Sequence, residues 1–189
     1  MRKFRERKRY HLLTLDVLQG IPDDDLVQAI VDWVDCKLEQ TKSAGAASGA
    51  AWQALPEPFR IIYATSYGAG QVHNGGFNQY FWNTAGEQAA DAVLGFKRIG
   101  AEREAELMES AVARHAETKD WFDAFKNLGT DEAFAQSCRD SPLGPLDRQF
   151  WELSTNLDAL RIRFIRAQPE HFLGQCDAGD PIPHPEQHA

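Results

Sequence analysis

Between Val72 and Asn83 the chain reads VHNGGFNQYFWN, an Asn-Gly-Gly turn followed by four aromatic rings with side-chain amides set among them. A side-chain amide donates and accepts hydrogen bonds at once, and an imidazole such as His73 titrates near neutral pH. Residues of these types could wall a small-molecule pocket or an unrecognised enzyme site made of His73, Asn74, Gln79, Tyr80 and Asn83. They fit a structural role equally well. Asn74 stands where a helix N-cap belongs, Gly75 and Gly76 permit a sharp start, and Phe77, Tyr80, Phe81 and Thr84 recur at three and four residues as a core-facing stripe. Gln79 and Asn83 form an i,i+4 pair beside that stripe. Amides next to a buried face must be hydrogen-bonded, and backbone groups of loops or helix ends are the expected partners.

Other chemistry finds little support. GAGQVHNGG has His73 where a dinucleotide fingerprint needs its third glycine, and G-K-[ST] for a phosphate loop does not occur. Ser66, Ser110 and Ser141 lack a G-x-S-x-G setting, and neither H-E-x-x-H nor paired E-x-x-H helices occur. His184 and His188 lie four apart in HPEQH, but the prolines there preclude a regular helix. No catalytic residue, cofactor or metal ion is therefore expected.

The elements that must carry these residues read as helices. PDDDLVQAIVDWVDCKLEQT has Leu26, Ile30, Trp33, Val34 and Leu38 at helical spacing, with three aspartates at the positive end of the dipole. KSAGAASGAA, residues 42–51, reads as a linker loop. RIIYATSY fits a strand or the middle of a helix, and Phe59, Ile62, Tyr63 and Tyr67 favour the helix. AEREAELMESAVARHAE is helical by propensity and pattern, and KDWFDAFKNLG and DEAFAQSC give one short helix each. Leu146, Phe150, Leu153, Leu157, Leu160 and Phe164 step by three and four after Gly144-Pro145, which predicts one long C-terminal core helix. The expected fold is all-α: one compact multi-helix domain over residues 21–173, with a basic arm over 1–20 and a flexible Pro-rich tail over 174–189.

The 189 residues are 43% hydrophobic and carry a net charge of −8, enough apolar surface for a core. Residues 1–9 hold six cations against one acid, so the remainder bears 14 basic and 27 acidic side chains. Such a body repels nucleic acid and attracts basic surfaces. No apolar run is long enough to span a membrane and no export signal is evident, and Cys36, Cys138 and Cys176 fit neither a disulfide framework nor a zinc knuckle. A reducing cytoplasm is the expected location.

NGGFNQYFWNTAG, followed by ADAVLGFKRIGAEREAELMESAV and LDRQFWELSTNLDALRIRFIRAQPEHF, resembles a bacterial domain-of-unknown-function family that includes a DNA-mimic protein. The resemblance covers roughly residues 55–173 and is carried by Asn74, Gly75, Gly76, Phe77, Gln79, Tyr80, Phe81 and Asn83, the N-G-G-F-x-Q-[YF]-F-x-N core. It implies an all-helical fold and an acidic homodimer that occupies the DNA-binding surface of a transcription regulator. Gly68 and Gly70, read as interrupting the helix before the motif, and the basic arm depart from the family pattern. Two acid stripes could face such a partner: Asp25, Asp32, Asp35 and Glu39 on the first helix, and Glu102, Glu106 and Glu109 on a later one. A basic DNA-binding protein is the expected partner; nucleic acid and membrane are not.

Overall fold

The computed structural model describes residues 8–45 and 47–176. Ten α-helices account for most of them: α1 (Leu15–Gly20), α2 (Asp23–Ser43), α3 (Ser48–Gln53), α4 (Glu57–Thr84), α5 (Ala89–Ile99), α6 (Glu102–Glu117), α7 (Lys119–Lys126), α8 (Asp131–Arg139), α9 (Gly144–Trp151) and α10 (Leu157–Ala167). A 3-10 turn, Pro169–Phe172, follows α10. The all-α expectation holds, with RIIYATSY inside α4.

Helix α4 is the axle of the fold, packing against α5, α2, α9 and α8. Phe59, Ile61, Ile62, Val72, Phe77, Tyr80 and Phe81 are all buried along it. A buried aromatic or aliphatic side chain of this size contributes about 1.5–3 kcal/mol, so α4 alone accounts for a large part of the hydrophobic stabilisation. Helix α2 presents Leu26, Ala29, Ile30, Trp33 and Val34 to the core, and the Trp33 and Phe59 rings lie 4.2 Å apart. Helix α5 approaches α4 closely because Gly95 has no side chain: a Cβ there would sit 2.6 Å from Thr65 Cγ2 and 3.1 Å from the Ile61 carbonyl oxygen.

Several boundaries differ from the sequence expectation. The single C-terminal helix is two helices, α9 and α10, with residues 152–156 between them. The polar Ser154-Thr155-Asn156 run offers the backbone a new cap, and the Asn156 side chain accepts the Ala159 N–H at 3.0 Å. All six stripe residues from Leu146 to Phe164 still pack on the core, so the apolar period survives the break. Gly68 and Gly70 do not interrupt α4, which continues through both. The linker is shorter than residues 42–51, since α3 begins at Ser48.

The two ends of the body are also more integrated than expected. Leu12–Leu13 (β1) pairs antiparallel with Gly174–Gln175 (β2), Leu12 opposite Gln175 and Leu13 opposite Gly174. Leu13, Leu18 and Ile21 are buried. Residues 10–20 thus belong to the folded body rather than to an arm, and 174–176 belong to it rather than to a tail. The six cations assigned to the arm lie outside the described residues except Lys8 and Arg9, as do His184 and His188. Cys36 and Cys176 are joined as a disulfide with Cα atoms 6.3 Å apart, which corrects the reading that the cysteines fit no disulfide framework.

Candidate functional site

The opening stretch lies at a kink in α4. Gly75 (φ −160°) and Gly76 (φ 75°) leave the helical region, and the chain resumes its helix at Phe77. Gly76 is required there on two counts. Its positive φ is strained for a side-chain-bearing residue, and a Cβ would lie 2.5 Å from Asp147 Oδ2.

The kink exposes unsatisfied backbone groups on both sides, and α9 satisfies one of each. Asp147 Oδ1 accepts the Phe77 N–H at 2.7 Å, and Trp151 Nε1 donates to the Val72 carbonyl at 2.8 Å. Asp147 and Trp151 are four residues apart on α9, so one helical face caps both halves of α4. The capping role expected of Asn74 therefore belongs to Asp147, while Asn74 itself is exposed. Burial pushes the Asp147 carboxyl above the usual aspartate range, against the lowering effect of its bond to Phe77.

The amides are held by side chains rather than by the backbone groups expected. Gln71 Oε1 accepts from Gln79 Nε2 at 2.9 Å and from Asn83 Nδ2 at 2.7 Å, bridging the kink. The most buried amide is one the motif left open. Asn78 donates to Ser137 Oγ at 3.0 Å and Cys138 Sγ at 3.2 Å, while its Oδ1 has no hydrogen-bond partner among the described residues. Phe77 packs edge-on against Phe150, and Phe81 stacks on His115, whose pKa burial lowers.

His73, Asn74, Gln79, Tyr80 and Asn83 do not converge on one pocket. His73 and Asn74 are exposed, and His73 packs edge-on to Phe150. Tyr80 lies in the core. Only Gln79 and Asn83 reach a cleft: both border one of about 520 Å³ with Trp82 and Phe134. Asn83 also borders a second, of about 320 Å³, formed by Leu38, Trp52, Tyr63, Tyr67 and Gln88.

The acid stripes differ in their surroundings. On α2, Asp35 and Glu39 are exposed and Asp25 and Asp32 half-buried. Gln28 donates to Asp32 at 3.0 Å and the Tyr63 hydroxyl to Asp35 at 2.8 Å. Partial burial raises the Asp35 pKa, and the like charges of Asp32 and Glu39 raise it further, although the Tyr63 bond and the charge of Arg9 oppose this. On α6, Glu102, Glu106 and Glu109 are exposed, but Glu106 pairs with Arg103 at 2.7 Å and Glu109 with Lys97 at 2.6 Å. The stripes lie at the two ends of a packing series in which α2 meets α4, α4 meets α5 and α5 meets α6.

A kinked central helix stapled by its neighbour thus sits within an all-helical body. Residues 53–168 match the family model for DMP19-like proteins, and the chain belongs to that family. No curated protein and no solved structure matches it. Among the described residues no helix is long and apolar enough to cross a membrane.

Proposed function

We propose that this protein is an acidic interaction module of the cytoplasm that binds a basic, DNA-binding transcription regulator and keeps it from DNA. The observation that carries this reading is the α2 face, where Asp35 and Glu39 stand exposed beside Asp25 and Asp32. A stripe whose charges repel one another gains when a cationic surface covers it. Membership in the DMP19-like family supports the same reading.

Charge density sets what the face needs. From Asp25 to Glu39 a helix rises about 21 Å, over which one DNA strand presents about six phosphates. Four carboxylates are too few alone. A homodimer that brings two α2 faces together supplies the second row, whereas α6 is largely offset by Arg103 and Lys97.

The test is capture of DNA-binding proteins from lysate at low and high salt, with D35K/E39K alongside wild type. Retention at low salt, release at high salt and loss in the variant are expected. Capture indifferent to both salt and substitution would overturn the reading.

A second reading rests on the 320 Å³ cleft. The Tyr63 and Tyr67 rings stack at 5.9 Å there beside Trp52, Lys42 and Lys126, and Gln88 Oε1 is buried without a hydrogen-bond partner. Aromatic walls with two cations and the carboxylate of Glu87 suit a flat, polar small molecule. Calorimetric titration with such compounds, their binding weakened in K42A, checks it.

A further inference from the structure

The terminal ribbon meets α2 in register. Leu12 pairs with Gln175 and Leu13 with Gly174, and the Cys176 N–H extends the ladder to the His11 carbonyl at 2.7 Å. His11 and Cys176 are therefore directly opposite, and side chains two apart along each strand share a face. Leu13 and Gly174 are on that same face. Gly174 presses on Trp33, since a Cβ would sit 2.5 Å from Trp33 Cζ2. Trp33 and Cys36 are three apart on one side of α2. The same docking thus brings Cys176 and His11 to Cys36: the two sulfurs and an imidazole nitrogen all lie within 4.8 Å of one another.

We propose that, when the Cys36–Cys176 bond is reduced, His11, Cys36 and Cys176 bind one zinc ion. Thiolate and imidazole are the ligands this ion prefers. Two sulfurs on a tetrahedral zinc are about 3.8 Å apart, so the bonded pair must separate once reduced, and Cα atoms 6.3 Å apart leave room for both side chains to do so. Three protein ligands leave the fourth position to water. His11 is exposed, Cys36 half-buried and Cys176 buried, so the ion enters from the ribbon's outer edge. A metal bound there would clamp the two ends of the folded body to α2.

The disulfide and the ion use the same sulfurs, so the two states exclude each other. A dithiol reductant supplies two electrons and two protons to open the bond to two thiols and leaves as its own disulfide. Zinc then displaces the two thiol protons to solvent. Oxidation of the thiols by a small-molecule disulfide, which is reduced to two thiols, expels the ion.

The full chain, freed of metal and titrated anaerobically with cobalt as a spectroscopic stand-in and then with zinc against a chromophoric chelator, tests this. Reduced wild type should bind one equivalent with a sulfur-to-cobalt charge-transfer band, and oxidised protein none. C36S should lose the band. H11A, which alters an exposed residue and keeps both thiols, should bind at least about tenfold more weakly. H184A/H188A should bind as wild type. Failure of the reduced chain to bind, binding that survives H11A unchanged, or binding lost with the tail histidines would each overturn the site.

Discussion

The kink in α4 and the acidic face of α2 are both rich in polar side chains, yet they handle polarity in opposite ways. At the kink, Asp147, Trp151, Gln71 and Asn78 each meet a specific hydrogen-bond partner, and Asp147 and Asn78 are buried. On α2 the carboxylates lie beside one another at the surface, and the Asp35 pKa rises mainly through partial burial and to a smaller extent through Asp32 and Glu39, with Arg9 opposing. Buried polar groups are costly to leave unpaired, so the first arrangement specifies structure. Exposed like charges cost little but attract an opposite surface, so the second is suited to association.

The sharpest way to break this contrast is at Gly76. G76A forces a side chain into a positive φ and against Asp147, and about 3 kcal/mol or more of stability should be lost in urea unfolding. A loss under 1 kcal/mol, as for an ordinary surface change, would mean the kink is not fixed as described.

Next in size is Asp147. D147A leaves the Phe77 N–H buried and uncapped, at a cost of about 2 kcal/mol. D147N keeps an oxygen acceptor and should lose much less, and it isolates the effect of charge. Because burial raises the folded-state pKa of Asp147, its contribution to stability is present below the unfolded aspartate pKa and lost as pH rises through the folded value. Wild type should therefore shed this component with rising pH, while D147N should not. Matching pH profiles for the two proteins would remove Asp147 as a buried titrating group.

Smaller again is Trp151. W151F removes the indole N–H that serves the Val72 carbonyl, together with one ring of an exposed side chain, at a cost of about 1 kcal/mol. If α9 staples both halves of α4 as one unit, W151F and D147A should couple by about 0.5 kcal/mol or more in a double-mutant cycle, and additive losses would mean two independent contacts.

How far the sequence reveals these features follows from the range of the interactions. Helices α2, α6, α7 and α8 were legible because their apolar period and first-turn acids are local signals. The break before Asn156 was not, because the apolar stripe keeps its period through it while only three polar residues mark the new cap. The motif could be read as a core-facing helix start, but its cap could not: Asp147 is 70 residues from Phe77, and Asn74 offered a nearer, chemically suitable alternative. Cys36 and Cys176 are 140 residues apart without any spacing motif, and only the docking of the β1–β2 ribbon on α2 brings them together. The acid stripes were visible as spacing, whereas the cations that offset Glu106 and Glu109 were only partly foreseeable, since Lys97 comes from α5.

The gentlest test lies on α2, where stability should barely move while association changes. D35N keeps an oxygen to accept the Tyr63 hydroxyl and removes one of the crowded charges, so it should stabilise the fold by less than about 0.5 kcal/mol, a figure kept small by solvent screening. The raised Asp35 pKa gives the sign: ionisation as pH rises through the folded value costs the wild type stability, and D35N escapes that cost. Thermal unfolding at low salt should show the gain, and high salt should shrink it. A cationic partner works the other way, stabilising the ionised carboxylate and lowering its pKa, so wild-type capture should weaken as pH falls and D35N should bind more weakly at neutral pH. If D35N destabilised the fold by as much as D147A, Asp35 would belong with the kink as a structural acid, and the interaction face would have to be sought elsewhere.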